Sequence, residues 1–321
     1  MKNLALVLFC ALLISCSEKK PIEVKQYSID QFYKSTRIIG GAFNADETKL
    51  LIGSDKTGIF NVFEITIADS SRKQITQSTV ESFFAMDYVP GTGKILYGAD
   101  KGGNEIDHIY LLEEDGTTRD LTPGDNAKSG FIGWSKNKKF MYYGSNKRDP
   151  QFFDIYKMSI ADWKPVMLYK YDNGLDFTGI SDDENYISLQ RPITTSENQL
   201  FLLNRATGKL TEVSDSAMPG TYNSSDFSMD GKHFYYITDA GKEFAYLVDY
   251  EIATGTKKTL FETKWDVMYS YTSENEKFRV IAINEDGKNS IIVKNNATGE
   301  NLDFPIIADG NVLDVNISDK E

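Results

Sequence analysis

The sequence has little of the chemistry that most metal sites and many active sites require. Its 321 residues include two cysteines, Cys10 and Cys16, and two histidines, His108 and His233. Because the two histidines are far apart and neither cysteine is expected to remain as a usable thiol, we expect no clustered metal site and no cofactor. Basic residues are also scarce, 35 against 47 acidic ones, and the net charge of -12 opposes binding to nucleic-acid phosphates. A metalloenzyme and a nucleic-acid-binding protein are therefore both disfavoured.

Long apolar runs that could cross a bilayer several times are missing as well. The apolar run over residues 4–14 is too short to span a membrane, and after Lys2 it has the form of a secretion signal. It ends in Leu13-Ile14-Ser15-Cys16, which resembles the lipobox of bacterial lipoproteins. That resemblance implies a signal peptide over 1–15, lipidation of Cys16 and a tether over 16–26. We expect a chain anchored by lipid to a membrane of the bacterial cell envelope, outside the cytoplasm; the alternative is an ordinary signal peptide with Cys16 incidental.

Both cysteines belong to this export region, so the mature chain is expected to contain no disulfide. Its stability must then come from packing. The high content of aromatic residues, 12%, favours strands, because flat rings pack well on a pleated surface.

An internal repeat dominates the rest of the sequence. An apolar or aromatic residue followed by a small or polar one recurs at steps of 45, 46, 46, 47, 45 and 45 residues. The repeated pairs are Phe43-Asn44, Tyr88-Val89, Trp134-Ser135, Ile180-Ser181, Phe227-Ser228, Thr272-Ser273 and Ile317-Ser318. Each complete unit reads as four short strands separated by turns, among them hairpins with Thr-Gly such as Thr207-Gly208.

Repeats of this length with four strands each predict an all-β fold, a β-propeller of four-stranded antiparallel blades over residues 27–321. There are six repeats plus the start of a seventh, and we expect blades to begin near the repeated pairs, with almost no helix. Two forms of closure stay open. Either six blades close the ring with 312–317 as a terminal strand, or the sequence is the front part of a longer protein.

Two loop motifs resemble a known family. Asp100-Lys101-Gly102-Gly103-Asn104-Glu105 precedes His108-Ile109-Tyr110, and residues 145–150 precede Phe153-Asp154-Ile155-Tyr156. From about Tyr27 onward the chain resembles the N-terminal propeller of the prolyl oligopeptidase family of serine peptidases, in its dipeptidyl-aminopeptidase and acylaminoacyl-peptidase-like branch. The resemblance implies a propeller that covers the active site of a following α/β-hydrolase domain and admits peptides while excluding folded proteins.

The catalytic part of that family is missing from the sequence. No Gly-x-Ser-x-Gly nucleophile turn occurs. The two Gly-x-Ser starts, Gly133-Trp134-Ser135 and Gly179-Ile180-Ser181, fall on the repeated turn, where a structural serine is expected. Both histidines lie in strand-like runs and are expected to be packed or at a strand edge rather than to act as bases. We assign no catalytic residue.

Binding residues are harder to place. Residues 100–107 and 146–150 read as polar loops between blade strands, and Glu105 and Arg148 are our candidates for orienting a peptide terminus. The acidic runs 113–116 and 182–184 read as turns. Two functions stay open: the substrate-gating propeller of a cell-envelope peptidase, or a free-standing TolB-like propeller lipoprotein that binds peptides or proteins.

Overall fold

The computed structural model describes residues 24–305, 307 and 310–321, so the predicted signal peptide and Cys16 lie outside the described residues. The chain divides into two compact units, residues 1–37 and 38–321. In the first unit, helix α1 (Ile29–Tyr33) begins at a capping box. The Ser28 hydroxyl accepts from the Gln31 backbone N–H at 3.3 Å, and the Gln31 side chain accepts from the Ser28 N–H at 2.8 Å. Within the described residues no helix is long and apolar enough to cross a membrane.

The second unit is a propeller of six four-stranded antiparallel blades, and in each blade the strands follow chain order. Blades 1 and 2 consist of β1 (Ile38–Phe43), β2 (Lys49–Ser54), β3 (Asn61–Thr66), β4 (Arg72–Gln74), β5 (Phe84–Tyr88), β6 (Ile95–Ala99), β7 (His108–Leu112) and β8 (Thr118–Asp120). Blades 3 and 4 consist of β9 (Ser129–Trp134), β10 (Phe140–Asp149), β11 (Phe152–Ser159), β12 (Pro165–Tyr169), β13 (Asp176–Ile180), β14 (Tyr186–Thr194), β15 (Glu197–Asn204) and β16 (Leu210–Glu212). Blades 5 and 6 consist of β17 (Tyr222–Phe227), β18 (His233–Thr238), β19 (Tyr246–Glu251), β20 (Lys257–Phe261), β21 (Asp266–Thr272), β22 (Phe278–Glu285), β23 (Lys288–Asn295) and β24 (Asn301–Leu302).

The predicted propeller is confirmed, with one correction to where the blades begin. The repeated pair ends the first strand of each blade and opens the turn to the second strand, so the blades begin about four to six residues earlier. The pair is conspicuous in the sequence because the turn after it has strict requirements. The start of the strand carries no such constraint, since every first strand contains a register shift at a different set of side chains.

The turn explains why serine recurs. In blade 4 the Ser181 hydroxyl accepts from the Tyr186 N–H at 3.0 Å, and the Glu184 N–H donates to the Ser181 carbonyl oxygen at 2.8 Å. Glu184 adopts a left-handed φ of 58°. Five further turns place a residue with positive φ at the same position, namely Glu47, Lys138, Gly231, Glu276 and Glu321. The five of these turns that lie within blades are numbered after their blades: turn 1 (44–48), turn 3 (135–139), turn 4 (181–185), turn 5 (228–232) and turn 6 (273–277).

Consecutive blades share cores of buried side chains. The core between blades 2 and 3, for example, contains Leu96, Ile109, Met141 and Tyr143, all almost completely inaccessible to solvent. Similar clusters join blades 1 and 2, 3 and 4, 4 and 5, and 5 and 6. Each blade packs against a neighbour on either side, so its second strand is buried on both faces. β6, for example, is buried along its whole length.

Residues 310–321, the C-terminal segment, connect blade 6 to blade 1. The Tyr271 hydroxyl of blade 6 donates to the Val315 carbonyl oxygen at 2.6 Å. At the other end the Glu47 carboxylate of blade 1 accepts from the Ser318 hydroxyl at 3.0 Å and from the Lys320 N–H at 2.8 Å. Residues 312–317 do not form the terminal strand that one form of closure predicted; the Val312 and Val315 carbonyl oxygens accept hydrogen bonds from the side chains of Asn289 and Tyr271.

The predicted start of a seventh repeat does form its turn. The Glu321 N–H donates to the Ser318 carbonyl oxygen at 3.1 Å, and Glu321 has a φ of 61°, as in the blade turns. We call residues 318–321 turn 7. It is linked to turn 6, since the Asn275 N–H donates to the Glu321 carboxylate at 2.6 Å. The ring of turns therefore runs from turn 6 through turn 7 to turn 1.

Candidate functional site

A cavity of about 890 Å³, which we call the channel cavity, lies inside the ring. First strands of neighbouring blades contact one another, as β1 and β5 do, so the first strands form the inner wall of the propeller. The cavity is bounded by β1, the end of β5, Trp134, Lys138 and residues 314–320 of the C-terminal segment. It therefore combines apolar walls with several charged groups, which is typical of a ligand-binding cavity.

The apolar wall comes mainly from β1. Ile38 and Ile39 are 48% and 38% exposed, although they lie on an inner strand. Gly40 follows with a φ of 74°, a left-handed conformation in which a side chain would be strained, and the register of β1 against β2 shifts here. The local break turns the isoleucines toward the cavity instead of into a blade core.

Asp87 supplies the most perturbed charge in this cavity. Its carboxylate accepts from the Tyr88 N–H at 2.7 Å and from the Trp134 indole N–H at 3.0 Å. Burial raises the pKa of Asp87 to about 6, against hydrogen bonds that lower it. The register of β5 shifts between Ala85 and Asp87, and this bulge aims the carboxylate at the next blade.

Blade 5 repeats the contact made by Asp87. The Asp226 carboxylate accepts from the N–H of Thr272 at 2.8 Å, and Arg279 lies 3.3 Å from its other oxygen. In both cases the acid precedes a repeated pair and bonds to the first residue of the pair in the next blade. Sequence reasoning missed both acids; a carboxylate directly before the repeated pair is the signal that could have identified them.

Arg148 was predicted as a peptide-binding residue on a loop, but residues 146–149 are part of β10. The strand continues because its hairpin with β11 pairs as far as Asp149 and Phe152. The Arg148 guanidinium donates two hydrogen bonds, of 2.6 and 2.8 Å, to the buried Asp154 carboxylate. Although burial works against it, this pair holds the pKa of Asp154 below its usual value. Arg148 therefore braces the hairpin.

Glu105 lies where the sequence predicted, on the loop between β6 and β7. Its side chain is exposed, its φ is 60°, and its N–H donates to the Asp100 carboxylate at 2.8 Å. Glu105 follows the second strand of blade 2 and Arg148 lies near the end of the second strand of blade 3, so both lie on the face opposite the numbered turns. The structure does not bring either residue to the channel cavity.

The histidines are packed, as expected. His108 is buried, with the Asp120 carboxylate 2.7 Å from Nδ1 and the Gly124 carbonyl oxygen 3.0 Å from Nε2. His233 Nδ1 lies 2.7 Å from Asp249. Among the described residues, neither histidine ring forms a hydrogen bond with a serine hydroxyl. These histidines therefore do not form the Ser-His pair of a hydrolase.

The serines of the two Gly-x-Ser sequences are also structural. The Ser135 hydroxyl donates to Asn137 at 2.9 Å and accepts from the Phe140 N–H at 3.0 Å. Ser181 makes the equivalent contacts in blade 4. Within the part of the chain that the structure describes, no three His, Cys, Asp or Glu side chains are grouped as metal ligands. These histidines and serines provide no activated nucleophile.

Comparison with known proteins gives a family match. The model described as prolyl oligopeptidase, N-terminal beta-propeller domain, matches residues 76–321. The chain is also 29% identical over 215 residues to dipeptidyl aminopeptidase BIII of Pseudoxanthomonas mexicana, a match that covers 64% of this chain and 30% of that protein. The chain thus spans less than a third of the curated relative.

Solved structures with the same fold have more varied descriptions. A prolyl endopeptidase superposes with a TM-score of 0.61 at 10% identity, covering 84% of this chain and 43% of that one. TolB from Acinetobacter baumannii superposes with a TM-score of 0.50 at 12% identity, covering 89% and 74%. An oligogalacturonate lyase gives 0.58 at 11% identity, covering 81% and 74%. At these identities the likeness shows the fold alone.

Proposed function

Because the chain belongs to the prolyl oligopeptidase family through its N-terminal β-propeller domain, we propose that it is the substrate-gating propeller of a cell-envelope serine peptidase. The observation that carries the proposal is the sequence match to a dipeptidyl aminopeptidase, which goes beyond a shared fold. On this proposal the propeller filters peptides, and hydrolysis belongs to an α/β-hydrolase domain. The packed histidines and turn serines support this division of labour.

The second candidate is a free-standing TolB-like propeller that binds peptides or proteins. The observation in its favour is coverage: TolB from Acinetobacter baumannii is matched over 74% of its length, against 43% for the prolyl endopeptidase. In that case the channel cavity and the exposed loops would bind a peptide or protein without any hydrolase domain.

A fluorophosphonate probe, which labels activated serines, separates the two candidates. Native protein is recovered from cells with an antibody against the propeller, and the 321-residue chain is produced separately as the control. A labelled species larger than 36.2 kDa supports the peptidase. An unlabelled species no larger than 36.2 kDa in the recovered material supports the TolB-like candidate. Labelling of the separate chain at a defined serine would contradict both.

Anchoring by lipid is part of the proposal and rests on the lipobox resemblance alone. Cys16→Ser should move the protein from the membrane fraction to the soluble fraction, while Cys10→Ser should leave it in place because that residue precedes the predicted cleavage. Fractionation followed by mass spectrometry of the N-terminus checks this. Unchanged membrane association with an unmodified N-terminus would exclude lipidation.

A further inference from the structure

Two lysines of turn 3 extend to turns of other blades. Lys136 Nζ lies 3.4 Å from the Asp182 carboxylate of turn 4 and 3.5 Å from the Glu274 carboxylate of turn 6. It also donates a short hydrogen bond to the Glu274 carbonyl oxygen. One ammonium group therefore links three turns.

Lys138 makes a second link from the same turn. Its Nζ lies 3.0 Å from the Asp319 carboxylate of turn 7 and 3.6 Å from the Glu274 carboxylate. Burial works against the charge, but Asp319 and Glu274 raise the pKa of Lys138 above its usual value. We call Lys136, Lys138, Asp182, Glu274 and Asp319 the turn clasp.

The contacts with Glu274 and Asp319 run across the ring, because turn 3 does not adjoin turn 6 or turn 7. Three pairs of adjoining turns are joined by a backbone N–H of one turn and the glutamate with positive φ in the next. The Met229 N–H of turn 5 donates to Glu276 at 2.7 Å, as Asn275 does to Glu321 and Lys320 to Glu47. The linked order 5, 6, 7, 1 places turns 6 and 7 across the ring from turn 3.

The clasp also borders the channel cavity. Lys138 and Asp319 belong to both, and the side of the ring that carries the numbered turns, the turn face, is where they meet. Every member of the clasp is partly exposed, so each ion pair is individually weak and is screened by salt. Such a network can hold an opening closed and still release it.

We propose that Lys136 and Lys138 form an ionic gate that closes the turn-face mouth of the channel cavity. Peptides then reach the cavity from the opposite face, which carries Glu105 and Arg148, unless the clasp is broken. The gate itself follows from the contacts of the clasp; only the identity of its ligand, a peptide, rests on the proposed function.

The test measures access to the cavity without any peptide. Cys10→Ser and Cys16→Ser remove the native thiols, and Ile39→Cys places one reporter in the cavity wall. Labelling rates are compared for two thiol reagents, a small methanethiosulfonate and a bulky maleimide attached to polyethylene glycol of about 5 kDa. In Lys136→Met/Lys138→Met the bulky reagent should react about tenfold faster, while the small reagent changes little.

Salt and matched variants make the test decisive. Raising the salt concentration should speed bulky labelling of the unmodified clasp and have little effect in the double variant. Lys101→Met/Lys139→Met removes the same charge from exposed positions and should behave like the parent. Lys136→Arg/Lys138→Arg keeps the charges and should stay closed, which separates gating from misfolding.

Equal bulky labelling in the double variant, the matched control and the parent would overturn the gate. That result would leave the proposed function untouched, because the fluorophosphonate experiment does not depend on access to Ile39. Conversely, a gate that opens on breaking the clasp stands even if the protein proves to be a TolB-like binder.

Discussion

Replacing Asp87 should change how the stability of the propeller depends on pH. In the folded chain burial raises the pKa of Asp87 from 3.8 to about 6, whereas the unfolded chain keeps an ordinary value. Between these two values the folded protein holds a proton that the unfolded chain has lost. The contribution of Asp87 to stability is therefore present below about pH 4 and is lost as the pH rises through 6.

The size of the effect follows from the shift. A difference of about two pKa units at about 1.4 kcal/mol per unit gives roughly 3 kcal/mol, of which about 2 to 3 kcal/mol falls between pH 4 and pH 7. Asp87→Asn abolishes this titration. It also loses one acceptor, for the Tyr88 or the Trp134 N–H, and that cost does not vary with pH. Relative to the parent, the variant should gain about 2 to 3 kcal/mol on going from pH 4 to pH 7.

Urea unfolding followed by tryptophan fluorescence at pH 4, 5, 6 and 7 measures this difference. Subtracting the parent from the variant at each pH cancels the titration of all other groups. Asp125→Asn, which makes the same change at an exposed position, serves as the control. If the Asp87→Asn difference varies no more with pH than that of the control, Asp87 is not buried in the folded protein and our account of the channel cavity is wrong.

Other perturbations test the ring and its blades. Glu47→Ala removes the acceptor for Ser318 and Lys320, so amide exchange at 318–321 should accelerate with a loss of about 1 kcal/mol; unchanged exchange would contradict closure through Glu47. Leu96→Ala leaves a hole in the core between blades 2 and 3 and should cost about 2 to 5 kcal/mol in urea unfolding, whereas a loss below about 1 kcal/mol would contradict its burial. Arg148→Met should lower the melting temperature more at pH 7 than at pH 3, because the paired Asp154 has a lowered pKa and contributes stability only while ionised; an equal loss at both pH values would argue for a role other than bracing.

The blade and its repetition could be predicted from residues that are close together in the chain. A serine that accepts the N–H five residues ahead, and a residue with left-handed φ three positions on, are local requirements, so they recur in the sequence wherever the turn recurs. Second strands buried on both faces likewise show as apolar runs. The packed histidines and structural serines followed from the same local reading, because each lies on a strand or turn of the repeat.

Which turns and strands meet across the ring could not be predicted in this way, because it depends on the folded arrangement of the blades. Lys136 and Glu274 are 138 residues apart, and Lys320 and Glu47 are 273 apart, so no local pattern links them. The bracing role of Arg148 could not be predicted for a related reason. In the sequence, an arginine near a hairpin looks the same whether or not it is paired with a carboxylate such as that of Asp154. Each blade is specified by residues that are near one another in the chain. The side chains that meet in the channel cavity come from several blades, so their arrangement depends on how the whole ring closes.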